Sequence, residues 1–170
     1  MIVAYADPPY PGCAGMYPEN EEVDHEALVA WLDNFDGWAL STSSPALADV
    51  LRVCPVGVRV MAWVKPFCSF KPGVNPAYAW EPVIVSPARS LGRDVNTVRD
   101  WVSSNITLQR GLTGAKPAAF ALWLFDVLGL VPRDTFVDVF PGTGAVTDAW
   151  LGWSTRHDFG VLDLGLQDIQ

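Results

Sequence analysis

The sequence predicts one α/β domain built on a doubly wound, mostly parallel sheet. Three observations carry that expectation. The chain opens on an apolar run, Ile2-Val3-Ala4-Tyr5-Ala6, cut off by Asp7-Pro8-Pro9. Strand-like and helix-like segments then alternate as far as residue 85. Near the other end a second run, Thr135-Phe136-Val137-Asp138-Val139-Phe140, leads through Pro141-Gly142-Thr143-Gly144 into a helix-like segment. With 170 residues, half of them hydrophobic and eight of them Trp, the chain can bury the core of a single domain.

The first run reads as a buried strand. Two consecutive prolines fix two φ angles, so the backbone leaves that strand stiffly. Asp7 is left at its carboxyl end, where open α/β sheets place ligands. Residues 11–20, rich in Pro, Gly and Asn, read as a loop, placed where a lid over substrate is expected. Asp24-His25-Glu26 opens a helix reaching about Asn34, with Asp24 as N-cap. Gly37-Trp38-Ala39-Leu40-Ser41-Thr42 is a second strand. Ser44-Pro45 starts another helix, Ser44 capping and Pro45 in the first turn. It runs to about Val53 and is stopped by Cys54-Pro55.

Val58-Arg59-Val60-Met61-Ala62-Trp63-Val64 reads as a third strand. A loop of cations, aromatics and prolines over 65–76 follows it. Trp80-Glu81-Pro82-Val83-Ile84-Val85 is then a fourth strand, a close antiparallel return that makes a hairpin edge. Residues 86–115, dominated by Ser, Arg, Asn and Gly, predict a long connection with a short helix near 95–102. Lys116-Pro117 opens an apolar helix over 118–130. The strand at 135–140, the glycine turn and a helix over 145–151 complete the readable chain.

Two stretches carry chemistry. In Asp7-Pro8-Pro9-Tyr10 a carboxylate, a rigid carbonyl and a π-face stand within four residues. Carboxylate and carbonyl accept hydrogen bonds from an exocyclic amine, and the Tyr10 ring stacks on a flat base. The plain alternative is an ordinary Asp-Pro-Pro turn. The second stretch, strand then glycine turn then helix, lets backbone N–H groups approach a nucleotide-like ligand. It is neither a P-loop, lacking Gly-Lys-Ser/Thr, nor a full Gly-x-Gly-x-x-Gly fingerprint; a generic α/β turn is its alternative.

Charge and cysteines bound the partners. The net charge is −8, yet residues 52–133 hold ten Lys and Arg against four acids. That basic middle is either a phosphate-facing surface or a solvated face balanced by acids elsewhere. Cys13, Cys54 and Cys68 lack metal spacing, and reduced thiols of a cytoplasmic protein are the simple reading. There is no apolar run of about 18 residues to suggest a membrane span, and the first residues lack the basic start of a signal peptide.

Asp7-Pro8-Pro9-Tyr10 resembles the catalytic motif of S-adenosylmethionine (SAM)-dependent amino methyltransferases, in the version most often found in those that methylate adenine N6. Asp138-Val139-Phe140-Pro141-Gly142-Thr143-Gly144 resembles that family's SAM-binding motif, an Asp-x-Phe-x-Gly-x-Gly pattern. Ala115-Lys116-Pro117 with its helix is similar to the segment just before it. Trp63-Val64-Lys65, a loop, then an acid opening an apolar strand resembles the corresponding part of the adenine-methylating, MT-A70-like group. The catalytic motif precedes the SAM motif, which is the permuted β order of the family.

The resemblance implies a Rossmann-like methyltransferase sheet, mostly parallel with an antiparallel hairpin strand, circularly permuted, in one domain over 1–170. Residues 65–115 would contain a small substrate-recognition region. The implied catalytic residues are Asp7, Pro8, Pro9 and Tyr10. SAM would be held by Asp7, Lys116, Asp138, Phe140, Pro141, Gly142, Thr143, Gly144 and Asp163. Tyr10, Lys65, Lys71 and Arg93 would bind nucleic acid, DNA ahead of RNA, and no metal is required.

Phe159-Gly160-Val161-Leu162-Asp163 fits the strand expected after the SAM helix, with Asp163 either on the ribose or a surface acid. The chain then ends, so the sheet is expected to lack its outermost strand there. A second copy or a protein partner could complete the pocket. A non-catalytic subunit that binds nucleic acid or an active partner is the alternative. Methylation of cytosine N4 or of glutamine is disfavoured, because those enzymes more often carry Ser or Asn where Asp7 stands. A bacterial or phage-infected cytoplasm is the expected setting, with no membrane partner.

Overall fold

A computed structural model describes the chain apart from residues 13–14, 16–21, 68–72, 91, 93–94, 107–114 and 160–170. Six strands and four helices follow one another in the order β1 (Ile2–Ala6), α1 (His25–Leu32), β2 (Gly37–Ser41), α2 (Leu47–Val53), β3 (Arg59–Val64), β4 (Trp80–Ser86), β5 (Trp101–Ser103), α3 (Ala118–Leu128), β6 (Thr135–Asp138) and α4 (Ala145–Phe159). The strands form one sheet in the order β5-β3-β4-β2-β1-β6. β1 lies parallel to both β2 and β6, and β5 lies parallel to β3. β4 runs antiparallel to both of its neighbours.

Period-two alternation along the strands feeds two cores, one on each face. Val3 and Tyr5 of β1 point to one face, with Ala39, Met61, Trp63, Val83 and Val85, and are covered by α3 and α4. Ala4 and Ala6 point to the other, with Trp38, Leu40 and Ile84, under Leu28, Val29 and Leu32 of α1 and Val50 of α2. A strand covered on both sides needs apolar residues at every position, which is why 3–6 form an unbroken buried run. α3 is the most apolar cover. Phe120, Ala121, Leu124, Phe125 and Leu128 are buried on it, and Gly129 closes it in the left-handed conformation.

Most expected elements are present, with four corrections. The returning strand β4 lies inside the sheet between β3 and β2, so the hairpin is not the sheet's rim; β3 and the short β5 lie outside it. α2 starts at Leu47, not at Ser44. Residues 44–46 form a turn in which the Ala46 N–H is held by the Ser43 carbonyl and hydroxyl. No helix forms over 95–102; Trp101 and Val102 instead extend the sheet beside β3, where the ladder outcompetes a weak local preference. α4 runs on to Phe159, so the strand expected from Phe159 does not begin there, and its remaining residues, Asp163 among them, lie outside the described residues. The expected lid over 11–20 falls largely there too. No helix among the described residues is long and apolar enough to cross a membrane.

Candidate active site

The carboxyl ends of β1, β2, β3 and β6 and the start of the reversed β4 all lie along one edge of the sheet. β1 and β6 are hydrogen-bonded neighbours: Tyr5 is in register with Asp138, and the Val139 N–H donates to the Tyr5 carbonyl at 2.9 Å. The first and the last predicted motifs are therefore side by side, although more than a hundred residues separate them.

Asp7 leaves the end of β1 half-buried, followed by a buried Pro8 and half-buried Pro9 and Tyr10. Its Oδ1 accepts from the ammonium of Lys116 at 3.0 Å. Lys116 stands just before α3 with its side chain only 5% exposed, near the rings of Trp63 and Phe120. Its Nζ also donates to Glu81 Oε2 at 3.2 Å. Glu81, the second residue of β4, pairs in turn with Lys65 at the end of β3, and Lys65 sits over the Trp63 ring. The Tyr10 hydroxyl donates to Glu81 Oε2 at 3.0 Å and stands 3.5 Å from both Asp7 Oδ1 and Lys116 Nζ. Two carboxylates, two ammonium groups and a phenol make one charge-balanced cluster.

Their titration follows from that arrangement. Burial raises the Asp7 carboxyl above its ordinary value, and the Lys116 ammonium offsets only part of the rise. For Lys116, burial works against the charge, but the Asp7 and Glu81 carboxylates outweigh it and hold the ammonium protonated. For Glu81, burial is likewise overcome, by Lys116 and Lys65, so its carboxyl is lowered and stays ionised. Behind Asp7, the buried Tyr5 hydroxyl shares a 2.9 Å hydrogen bond with Ser41.

Beyond β6, Gly142 and Gly144 turn the chain at φ +48° and +77°, conformations that side chains with a Cβ rarely adopt. The Gly144 N–H closes the turn onto the Pro141 carbonyl, and α4 begins at once. Open space lies over Gly144 where a Cβ would stand. Asp138 receives the Thr147 hydroxyl on Oδ2 at 2.8 Å, while its Oδ1 is buried with no partner. Burial raises this carboxyl, and the charge of Asp7 adds to the rise, so the two acids feel one another.

The cluster brings together Asp7, Tyr10, Lys65 and Lys116, with Asp138 and the Gly142–Gly144 turn next to it. Phe140 packs against the core under α1 and α2, and Thr143 Oγ1 accepts from the Ala145 N–H at 3.4 Å. Lys65, expected on substrate, is spent on Glu81. Lys71, Arg93 and Asp163 lie outside the described residues. Sequence reading gave Glu81 no role of its own. The available signal was an ionisable group at the second position of a strand whose next four residues are buried. Among the described residues, five of the seven cations of the basic middle are paired: Arg52 with Asp49, Arg59 with Asp100 and Arg89 with Asp134, besides Lys65 and Lys116.

The sequence matches no model of a known protein family and no curated protein. Solved structures do resemble it. A crystal structure of M1.HpyAVI in complex with SAM superposes with a TM-score of 0.60 at 16% identity, covering 90% of this chain and 77% of that one. A crystal structure of M1.HpyAVI superposes with a TM-score of 0.55 at 15% identity, covering 90% and 76%. At such identities the likeness speaks for the architecture: a mixed α/β sheet, mostly parallel with one antiparallel strand, matching a methyltransferase fold.

Proposed function

We propose that this chain is a SAM-dependent methyltransferase that transfers a methyl group to the exocyclic N6 amine of adenine in nucleic acid, DNA ahead of RNA. The observation that carries the reading is the adjacency of β1 and β6, which sets the Asp7–Tyr10 corner beside the Gly142–Gly144 turn. The similarity in fold to M1.HpyAVI, one of whose structures is a SAM complex, supports the same reading.

The residues at the turn fit SAM. An unpartnered, buried Asp138 Oδ1 suits an ammonium donor, and the space over Gly144 admits a close approach to backbone. Asp138, Phe140, Pro141, Gly142, Thr143 and Gly144 would hold the cofactor, with Asp7 and Lys116 at its reactive end and Asp163 on its ribose. When bound, SAM supplies an electrophilic methyl group. Asp7 Oδ2 and the Pro8 carbonyl accept the two N–H groups of the amine, which makes its lone pair more available. Tyr10 stacks on the base and holds its plane. The raised Asp7 carboxyl suits it to receive the proton that the methylated amine gives up. Residues 65–115 are where the target's sequence would be read, with a flipped or single-stranded adenine presented to the corner.

Incubating the protein with labelled SAM and DNA, then identifying methylated nucleosides by mass spectrometry, tests this. N6-methyladenine is the expected product. N4-methylcytosine would move the substrate, and no product together with no SAM binding by calorimetry would leave a non-catalytic subunit.

A further inference from the structure

We propose that Glu81 is the positioning residue of this corner: it anchors the Tyr10 ring through its hydroxyl and shares the Lys116 ammonium with Asp7. The inference rests on the function proposed above and adds to it a role for the acid at the start of β4.

The geometry makes the argument. A phenol has one proton to give, and the Tyr10 hydroxyl lies 3.0 Å from Glu81 Oε2 but 3.5 Å from Asp7 Oδ1. The shorter contact is a hydrogen bond and the longer one is at its limit, so Tyr10 is tethered to Glu81. That tether fixes the rotation of a ring whose task is to stack. A second consequence concerns charge. A buried ammonium facing a single carboxylate would collapse onto it. Here Lys116 is shared between Asp7 Oδ1 at 3.0 Å and Glu81 Oε2 at 3.2 Å. Lys65 on the other oxygen of Glu81 keeps that carboxylate ionised. Among the described residues Asp7 Oδ2 makes no hydrogen bond, so one oxygen of the essential acid stays open to the amine. A ring without a hydroxyl could stack at position 10 but could not be tethered, so the device belongs to Tyr10 and Glu81 together.

Glu81→Gln, Glu81→Asp, Tyr10→Phe and the Tyr10→Phe/Glu81→Gln pair separate these roles, assayed with SAM and random-sequence single-stranded DNA. Glu81→Gln should lower kcat about tenfold with the KM for SAM unchanged. The groups facing Asp7 are Tyr5, Tyr10, Lys116, Glu81 and Asp138. Removing the Glu81 charge therefore moves the acid limb of kcat/KM to lower pH, whereas Glu81→Asp leaves the limb in place. The paired variant should be faster than the product of the two single losses predicts. Unchanged kcat and an unmoved limb in Glu81→Gln, or losses that simply multiply, overturn the proposal.

The Cζ signal of Tyr10 in protein carrying 13C-labelled tyrosine, assigned with Tyr10→Phe, supplies a readout independent of turnover. A shift of that signal in Glu81→Leu, which leaves the Tyr10 hydroxyl no acceptor at position 81, supports the tether, and an unmoved signal there refutes it. If the unsubstituted protein methylates nothing while the signal moves, the proposed function fails and the positioning contact stands.

Discussion

Asp7 has two demands on one carboxylate. In the proposed function it accepts hydrogen bonds from an amine, and it already touches a buried ammonium at 3.0 Å. Replacing it with Ala should cut methyl transfer by at least about a hundredfold. Circular dichroism should show the fold kept, because the side chain serves the edge of the sheet and not either core. In the proposed mechanism the ionised acid is the form that both accepts strongly enough to activate the amine and can take up its proton, and burial lifts its titration above the ordinary carboxylate range. Activity should therefore fall as pH drops through a value above the usual ~4 for Asp, a limb read from kcat/KM against pH. Gly144 makes the other residue-scale case. At φ +77° with open space above it, Gly144→Ala meets strain in the backbone and no clash. A loss of about 1–2 kcal/mol in stability should appear on thermal melting. Weaker SAM binding by calorimetry should accompany it, since the added methyl enters the cradle.

Between elements, the firmest polar tie is the one that Asp134 makes just before β6. Its carboxylate accepts a two-pronged contact from Arg89, one arm at 2.7 Å, and the Val131 N–H at 2.9 Å. Arg89 also donates to the Gly129 carbonyl at the end of α3. The tie joins the segment after β4 to the turn between α3 and β6. Asp134→Asn should cost about 2–3 kcal/mol, seen as a loss of roughly 5–10 °C in Tm. The Arg89 guanidinium holds this carboxyl well below the usual range. A depressed folded-state value contributes stability that is fully present above the unfolded pKa and is lost as pH falls through the folded one, so the gap between variant and parent should begin to narrow only below about pH 4 and close well below it.

Sequence reading anticipated the strands at both ends and α3, because long apolar runs with proline or glycine stops carry strong local signals. It placed Asp7, Tyr10, Lys116 and Asp138 at a common edge. The position of β4 inside the sheet was not legible, since strand order depends on pairing between distant segments. For the same reason the sequence alone does not connect a single acid in β4 to Lys116 or Tyr10, which the fold brings to it from distant segments. β5 was missed because three residues give no period to read.

Across the whole molecule, charge sets how a nucleic acid would be held. Among the cations of the basic middle, Arg52, Arg59, Lys65, Arg89 and Lys116 are paired. Arg99 lies over the Trp101 ring, and neither it nor Arg133 makes an ion pair among the described residues. Arg99 and Arg133, with Lys71, Arg93 and Arg110 that lie outside the described residues, leave at most five cations of the basic middle for phosphates, so affinity for single-stranded DNA should depend only modestly on salt. The slope of log K against log[salt] by fluorescence anisotropy should be no steeper than about −4. A steeper slope would mean that ion pairs now spent within the protein open on binding.

The reversed direction of β4 has a practical outcome. Because β4 is stitched to β2 on one side and β3 on the other, its opening residues are fixed by the ladder and not by the connection that delivers them. In the segment between β3 and β4, the residues beyond Lys65 should therefore tolerate shortening, lengthening or exchange without shifting Glu81. If this segment reads the target, as proposed, an engineer who wished to retune recognition would have there a replaceable cassette above an anchored acid.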